Sequence, residues 1–222
     1  VCIQNLHVIF AIDRAGLVGS DGETHQGIFD LSYLSSIPNM TVMAPKNKWE
    51  LSDMMKFAVR YDGPIALRYP RGEAYDGLSR FRLPIEYGKW ETIYDENEIA
   101  LLAVGSMVKT AVEVRDRLRQ MGYGCTLVNA RFVKPLDQEA IRTLQAEHQL
   151  LVTMEENVKS GGFGEAVLEY LNEIKSQTRA MVIALPDDYV EHGNVDLLKQ
   201  ECGIDAESII KKIVIEYIGL TK

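Results

Sequence analysis

The chain has 222 residues, room for one or two domains. It is 46% hydrophobic and 25% charged, the mix of a globular chain with a sizeable core rather than of a disordered or fibrous one. The net charge of −8 is uneven, with 8 Lys/Arg against 9 Asp/Glu in residues 1–80 and 16 against 23 in residues 81–222, so there is no basic face for a nucleic acid. Three cysteines, Cys2, Cys125 and Cys202, stand far apart with no CxxC spacing, which argues against a disulfide framework or a zinc site and fits a reducing, cytosolic setting. No apolar run approaches the roughly 20 residues of a membrane span. The N-terminus has no basic n-region or cleavage site. Val1 opens in mid-pattern without a starting Met, as a fragment or processed piece would.

In chain order, His7 to Ile12 reads as a buried strand and Ile28 to Leu34 as a short helix, ended by Ile37-Pro38-Asn39. Met40 to Met43 is a second strand. Residues 47–61 form a helix with Leu51, Met54, Met55 and Ala58 on one face and Asn47 as N-cap. The methionines at 40, 43, 54 and 55 read as core. Asp62-Gly63-Pro64 turns the chain into a third strand, Ile65 to Tyr69. From Gly72 to about Pro84 periodicity is lost, and this stretch reads as a linker.

Beyond it the alternation resumes. Trp90 to Tyr94 and Ile99 to Val104 are strands, and a helix carries Ala111, Val114, Leu118 and Met121. Cys125 to Val128 is a strand, and Asp137 caps a helix running to about His148. Leu150 to Met154 is a strand, followed by a helix with Val167, Tyr170, Leu171 and Ile174. Met181 to Leu185 is the last strand, and the final helix carries Ile210, Ile213, Val214 and Tyr217. Such alternation implies α/β architecture with mostly parallel sheets covered on both faces.

The chemistry concentrates in Asp21-Gly-Glu-Thr-His-Gln-Gly27, which packs a carboxylate, a hydroxyl, an imidazole, an amide and two glycines into one loop after a strand. Loops at strand ends are where α/β proteins place their sites, and histidine serves as donor, acceptor or proton shuttle near neutral pH. A solvated loop with a turn Asp is the plainer alternative. Arg14 and Arg71 each follow a predicted strand end, so both can reach one rim of a sheet. Two guanidinium forks suit a phosphate dianion. Arg68 alternates away from Arg71 and suits a carboxylate partner. Tyr69 belongs to a pocket wall or the core. Gly105-Ser106 and Gly161-Gly-Phe-Gly164 match neither GxGxxG nor a Walker loop and read as turns and caps. Glu155 and Glu156 are adjacent on a strand end and face different ways, which argues against a paired acid–base device. His7, His148 and His192 read as structural or surface.

The run Asp13 to Leu34, with Asp13-Arg-Ala-Gly16 and Asp21-Gly-Glu-Thr-His-Gln-Gly27, closely resembles the 1-deoxy-D-xylulose-5-phosphate synthase family. So do Ile37-Pro-Asn39, Met43-Ala-Pro45, Arg68-Tyr-Pro-Arg-Gly72, Arg131-Phe-Val-Lys-Pro-Leu-Asp137, Glu155-Glu-Asn157 and Gly161-Gly-Phe-Gly164. The resemblance covers nearly the whole chain. It implies an incomplete parallel-sheet, thiamine-enzyme pyrimidine-binding domain over 1–78, then a transketolase C-terminal-like α/β domain over 79–222. It implies a homodimer that uses thiamine diphosphate and Mg2+ to condense pyruvate with D-glyceraldehyde 3-phosphate, releasing carbon dioxide. The missing N-terminal part would carry the metal and diphosphate motif, so this piece alone is expected to be inactive, with no cofactor or metal of its own. By resemblance His25 lies beside the thiazolium and donates to the pyruvate carboxylate or to the oxygen on which charge develops. Asp21 lies in the same pocket, placed to orient His25 or assist proton movement, and Arg14 and Arg71 hold the phosphate. The C-terminal half of a split transketolase, a 2-oxoacid dehydrogenase β-subunit and a non-catalytic dimerisation module are the alternatives. The Asp13-Arg14 pair and the Arg68 to Gly72 run speak against the first two.

Overall fold

The computed structural model describes residues 1–220. After a short 3-10 turn the chain forms β1 (Ile9–Ile12), α1 (Asp30–Ser35), β2 (Thr41–Met43), α2 (Lys48–Ala58) and β3 (Ile65–Arg68). Then come β4 (Glu91–Tyr94), β5 (Glu98–Ala103), α3 (Met107–Gln120), β6 (Cys125–Asn129), β7 (Phe132–Lys134) and α4 (Gln138–Glu147). β8 (His148–Val158), α5 (Phe163–Glu173), β9 (Arg179–Leu185), α6 (Val195–Glu201) and α7 (Ala206–Leu220) complete it. The protein is α/β with two sheets. The first has the order β1-β3-β2-β7, parallel except for β7, and the second has the order β4-β6-β5-β8-β9, parallel except for β4.

The caps read from the sequence form. Asn47 Oδ1 accepts the Glu50 N–H at 2.9 Å at the head of α2, and Asp137 Oδ1 accepts the Ala140 N–H at 3.1 Å at the head of α4. Each satisfies a donor that the first helical turn leaves orphaned.

β5 is central and buried along its apolar length, and its alternation feeds two cores. Ile99, Leu101 and Ala103 face the side covered by α3 and α7. Ala100, Leu102 and Val104 face a core shared with α5 and with β2, β3 and α2 of the first sheet. Strands buried on both faces read as continuous apolar runs, which Ile99 to Val104 is.

Several elements differ from the sequence expectation. The first helix starts at Asp30 instead of Ile28, because the Ile28 carbonyl accepts the Val158 N–H at 2.8 Å and stays outside the helix. α2 ends at Ala58, and Met55 on it is 38% exposed rather than core, while Met40, Met43 and Met54 are buried. β8 runs on through Glu155, Glu156 and Asn157. β7 and α6 were not foreseen. β7 comes from beyond residue 79 in sequence yet pairs with β2 of the first sheet.

Candidate phosphate-binding loop and its surroundings

β1 and β3 are neighbours in parallel register, with Ile12 opposite Arg68, so the segments leaving them emerge side by side at one rim. The Ala15 N–H donates to the Tyr69 carbonyl at 3.1 Å and keeps the two exits together. Arg14 sits in the left-handed region, φ 58°, which turns its side chain back over the loop it opens. There Arg14 Nε donates to Asp21 Oδ2 at 3.0 Å and Arg71 Nη1 donates to Asp21 Oδ1 at 2.6 Å. Arg14 also pairs with Asp13 at 2.8 Å, and the Ser20 hydroxyl donates to Asp21 at 3.4 Å. The hydrogen bond from Arg14, joined by that from Arg71, holds the Asp21 carboxyl below its ordinary range. Both guanidinium groups keep substantial solvent exposure, 40% and 51% of their side chains.

The structure therefore brings Arg14, Asp21 and Arg71 together, with both guanidinium groups on one carboxylate. His25 lies on the exposed outer face of the same loop, its Nδ1 2.8 Å from the Thr24 hydroxyl. The Asp21 oxygens are taken by the arginines and Ser20, and His25 is not among their partners. Tyr69, together with Pro70 and Gly72, lines a broad groove of about 1280 Å³ between the two sheets' helices.

Arg68 is turned inward, as its alternation with Arg71 required. Its Nε donates to Asp30 at 2.7 Å, and its Nη2 to the carbonyls of Gly27 and Glu156 at 2.8 and 2.7 Å. The two glycine turns are already served by the chain's own carboxylates. Glu155 accepts the N–H groups of Phe163 and Gly164 at 2.9 and 2.8 Å, at the head of α5. Burial pushes its carboxyl up to about 7 against the pull of those two donors. Glu156 points the other way, to Leu17 and Ser106. His7 and His148 bond backbone carbonyls, and His192 is exposed.

Gln26 carries structural work in this region that the sequence did not single out, and Glu156, read there only as facing away from Glu155, shares it. Gln26 is buried between exposed His25 and Gly27, and its only sequence signal is a lone amide inside a polar loop. Among the described residues no group of three or more His, Cys, Asp or Glu side chains converges on a metal position. No helix among them is long and apolar enough to cross a membrane.

The chain matches the pyrimidine-binding domain of transketolase over residues 1–76 and the transketolase C-terminal domain over residues 88–209. It belongs to the transketolase family. Within that family it is 56% identical over 214 residues to 1-deoxy-D-xylulose-5-phosphate synthase of Lachnoclostridium phytofermentans, covering 96% of this chain and 34% of the relative. It is 45% identical over 219 residues to the synthase of Clostridium acetobutylicum, covering 96% of this chain and 35% of the relative. The chain thus spans about a third of the length of these curated relatives. Among solved structures, a split-gene transketolase, an inactive beta4 tetramer, superposes with a TM-score of 0.90 at 25% identity, covering all of this chain and 70% of that one. Transketolase of Campylobacter jejuni superposes at 0.72 and 20% identity over 93% of this chain and 31% of that one.

Proposed function

We propose that the chain is the C-terminal part of a 1-deoxy-D-xylulose-5-phosphate synthase, with residues 1–78 ending the pyrimidine-binding domain and 79–222 forming the C-terminal domain. The whole enzyme would be a cytosolic homodimer condensing pyruvate with D-glyceraldehyde 3-phosphate. The observation that carries this is the convergence of Arg14 and Arg71, from two adjacent strand ends, on a single carboxylate. Two guanidinium groups that already share one anion at a solvent-open rim are suited to a phosphate, whose oxygens take such forks bidentately. His25, exposed four residues after Asp21, would hold or deliver a proton where negative charge develops on the pyruvate-derived oxygen. Asp21 keeps the two arginines aligned.

Thiamine diphosphate with Mg2+ would supply the nucleophilic carbon to which pyruvate adds. Among the described residues no carboxylate cluster is gathered for the metal. In this reading the diphosphate and metal would be held by the part of the enzyme outside this chain, and the chain alone would lack activity.

In a full-length synthase carrying this chain, Arg71→Ala should raise the KM for D-glyceraldehyde 3-phosphate about tenfold to a hundredfold, the range of a lost charge-assisted contact, with little change for pyruvate. Arg14→Ala should act alike and non-additively with it, since both touch one phosphate. His25→Ala should lower kcat instead. A KM change confined to pyruvate in Arg71→Ala would overturn the phosphate assignment. A non-phosphorylated acceptor used equally well would point to a different transketolase-type reaction.

A further inference from the structure

The loop from Asp13 to Gly27 has two faces. Ser20, Glu23, Thr24 and His25 are exposed, whereas Ala15, Gly16, Leu17, Gly19 and Gln26 are buried. The buried face lies against the second sheet's unit at closely spaced points. The Leu17 N–H donates to Glu156 Oε1 at 2.9 Å, and the other oxygen of Glu156 is held by the Ser106 hydroxyl at 2.8 Å and Lys199 at 3.4 Å. Gly193 donates its N–H to the Gly19 carbonyl at 3.1 Å. Gln26 spends its whole amide on this junction: Nε2 donates to the carbonyls of Val190 and Glu191 at 2.7 and 3.1 Å, and Oε1 accepts the Val18 N–H at 3.0 Å. Gln26 and Glu156 are 6% and 3% exposed.

The contact has no slack. A Cβ at Gly16 would lie 2.5 Å from the Glu156 carboxyl carbon, and one at Gly19 2.5 Å from the Gly193 carbonyl, both at positive φ. Phe29, just past the loop, packs edge-on against Tyr189 with ring centroids 5.5 Å apart. The stretch that bears Asp21 and His25 is therefore fastened at both ends, at Gly19 and at Gln26, by the segment following β9.

We infer that Gln26 and Glu156 are positioning residues for the reaction, and that the segment from Val190 to Gly193 is the template on which the substrate loop is shaped. The inference rests on the function proposed above for Arg14, Asp21 and His25. Gln26 is covalently next to His25 with its side chain turned the opposite way, so any shift of its amide moves the imidazole. Glu156 fixes the loop three residues after Arg14. The second unit, which holds the loop by its buried face, would then control turnover.

The test uses a full-length synthase carrying this chain. Gln26→Glu keeps the shape but sets a carboxylate against two carbonyls, and Gln26→Ala removes the clamp. Glu156→Ala removes the Leu17 acceptor, whereas Glu156→Gln retains it. Misplacement of reacting groups from outside the chemistry costs up to about a hundredfold in rate. The two Gln26 variants should therefore lose about tenfold to a hundredfold in kcat, read at a temperature well below the onset of unfolding of each variant. Glu156→Ala should chiefly raise the KM for the phosphate substrate, and Glu156→Gln should restore it. Retention of wild-type kcat and KM in Gln26→Ala and Glu156→Ala would overturn the inference. So would losses that track the melting temperature and that Glu156→Gln fails to restore. If Gln26→Glu does not fold, Gln26→Ala and the Glu156 pair decide by the same readings. Arg71→Ala, run beside them, separates the two levels: an unaltered KM there sinks the phosphate assignment, while the kcat of the Gln26 variants still decides whether the clamp positions the loop.

Discussion

Arg68 and Arg71 stand three residues apart and meet opposite fates. Arg68 ends β3 facing inward, 2% exposed, against Asp30 and two carbonyls, while Arg71 lies beyond the strand at the solvent-open rim. The period-2 alternation of a strand, broken by Pro70, is enough to send them apart. The same local logic makes a different ion pair testable. Asp53 on α2 is gripped by Arg82 through Nε at 2.6 Å and Nη2 at 2.9 Å, and this holds its carboxyl down at about 2. A carboxyl lowered on folding contributes stability above its unfolded value and loses that contribution as pH falls through its folded value. The contact between α2 and residue 82 should accordingly persist to about pH 2. A carbon-detected titration of Asp53 should give that midpoint, and Arg82→Gln should return it toward the ordinary Asp value near ~3.9. An unchanged midpoint in Arg82→Gln would assign the shift to something other than this pair. The strand pattern was enough to set Arg14 and Arg71 at one rim, whereas Asp21 was placed only by the family resemblance, and there beside His25. That the Asp21 carboxylate lies between the two arginines follows from the left-handed turn at Arg14, which no composition rule announces in a residue other than glycine.

At the scale of elements, α5 shows how a helix can start without a capping residue of its own. Its N-cap is Gly162, which has no side chain, and the missing acceptor is supplied by Glu155 from β8, running alongside. Glu155→Ala would leave the buried N–H groups of Phe163 and Gly164 unpaired. Each unsatisfied group costs about 1–3 kcal/mol, so a loss of roughly 2–6 kcal/mol in urea-denaturation stability is expected. A loss below about 0.5 kcal/mol, the scale of an ordinary surface change, would mean that water replaces the carboxylate there. α2 and α4 were legible because Asn47 and Asp137 precede apolar residues at helical spacing, so cap and pattern agree. β7 was not, since three residues carry no period and its partner β2 lies some ninety positions earlier in the chain. α6 was missed for a related reason: seven residues with only Leu198 buried give no stripe to read. The core strands were the easiest of all, because a strand buried on both faces, such as β5, is apolar throughout.

For the molecule as a whole, the question is whether two sheets mean two independent folding units. Three features join them: β7 pairs across to the first sheet, one hydrophobic cluster draws on both, and a buried ionic network spans the seam. In that network Lys46 donates to Glu50 at 3.0 Å and to Glu91 at 2.6 Å, while Arg131 lies 3.4 Å from Glu50 and 3.2 Å from Glu91. Asn129 donates to both carboxylates, and all four charged side chains are at most 3% exposed. Burial favours the neutral form of Glu91, but Lys46, the Leu83 N–H and Arg131 together hold it below its ordinary value, so it stays ionised at the seam. Two cations and two anions balance, and removing one leaves buried charge uncompensated, at a cost of roughly 3–5 kcal/mol. Trp49 on α2 reports the first sheet's side, and Trp90 before β4 reports the seam, its indole N–H donating to the Phe132 carbonyl of β7 at 2.8 Å. Single-tryptophan variants, Trp49→Phe and Trp90→Phe, isolate the two signals, each judged against its own denaturant midpoint. Lys46→Ala should lower both midpoints together, because Glu91, on the far side of the seam, loses its nearest cation along with Glu50. A fall confined to the Trp49 reporter would show that the seam holds while α2 loosens, and that the network is local to α2 and does not bind the two units into one cooperative fold.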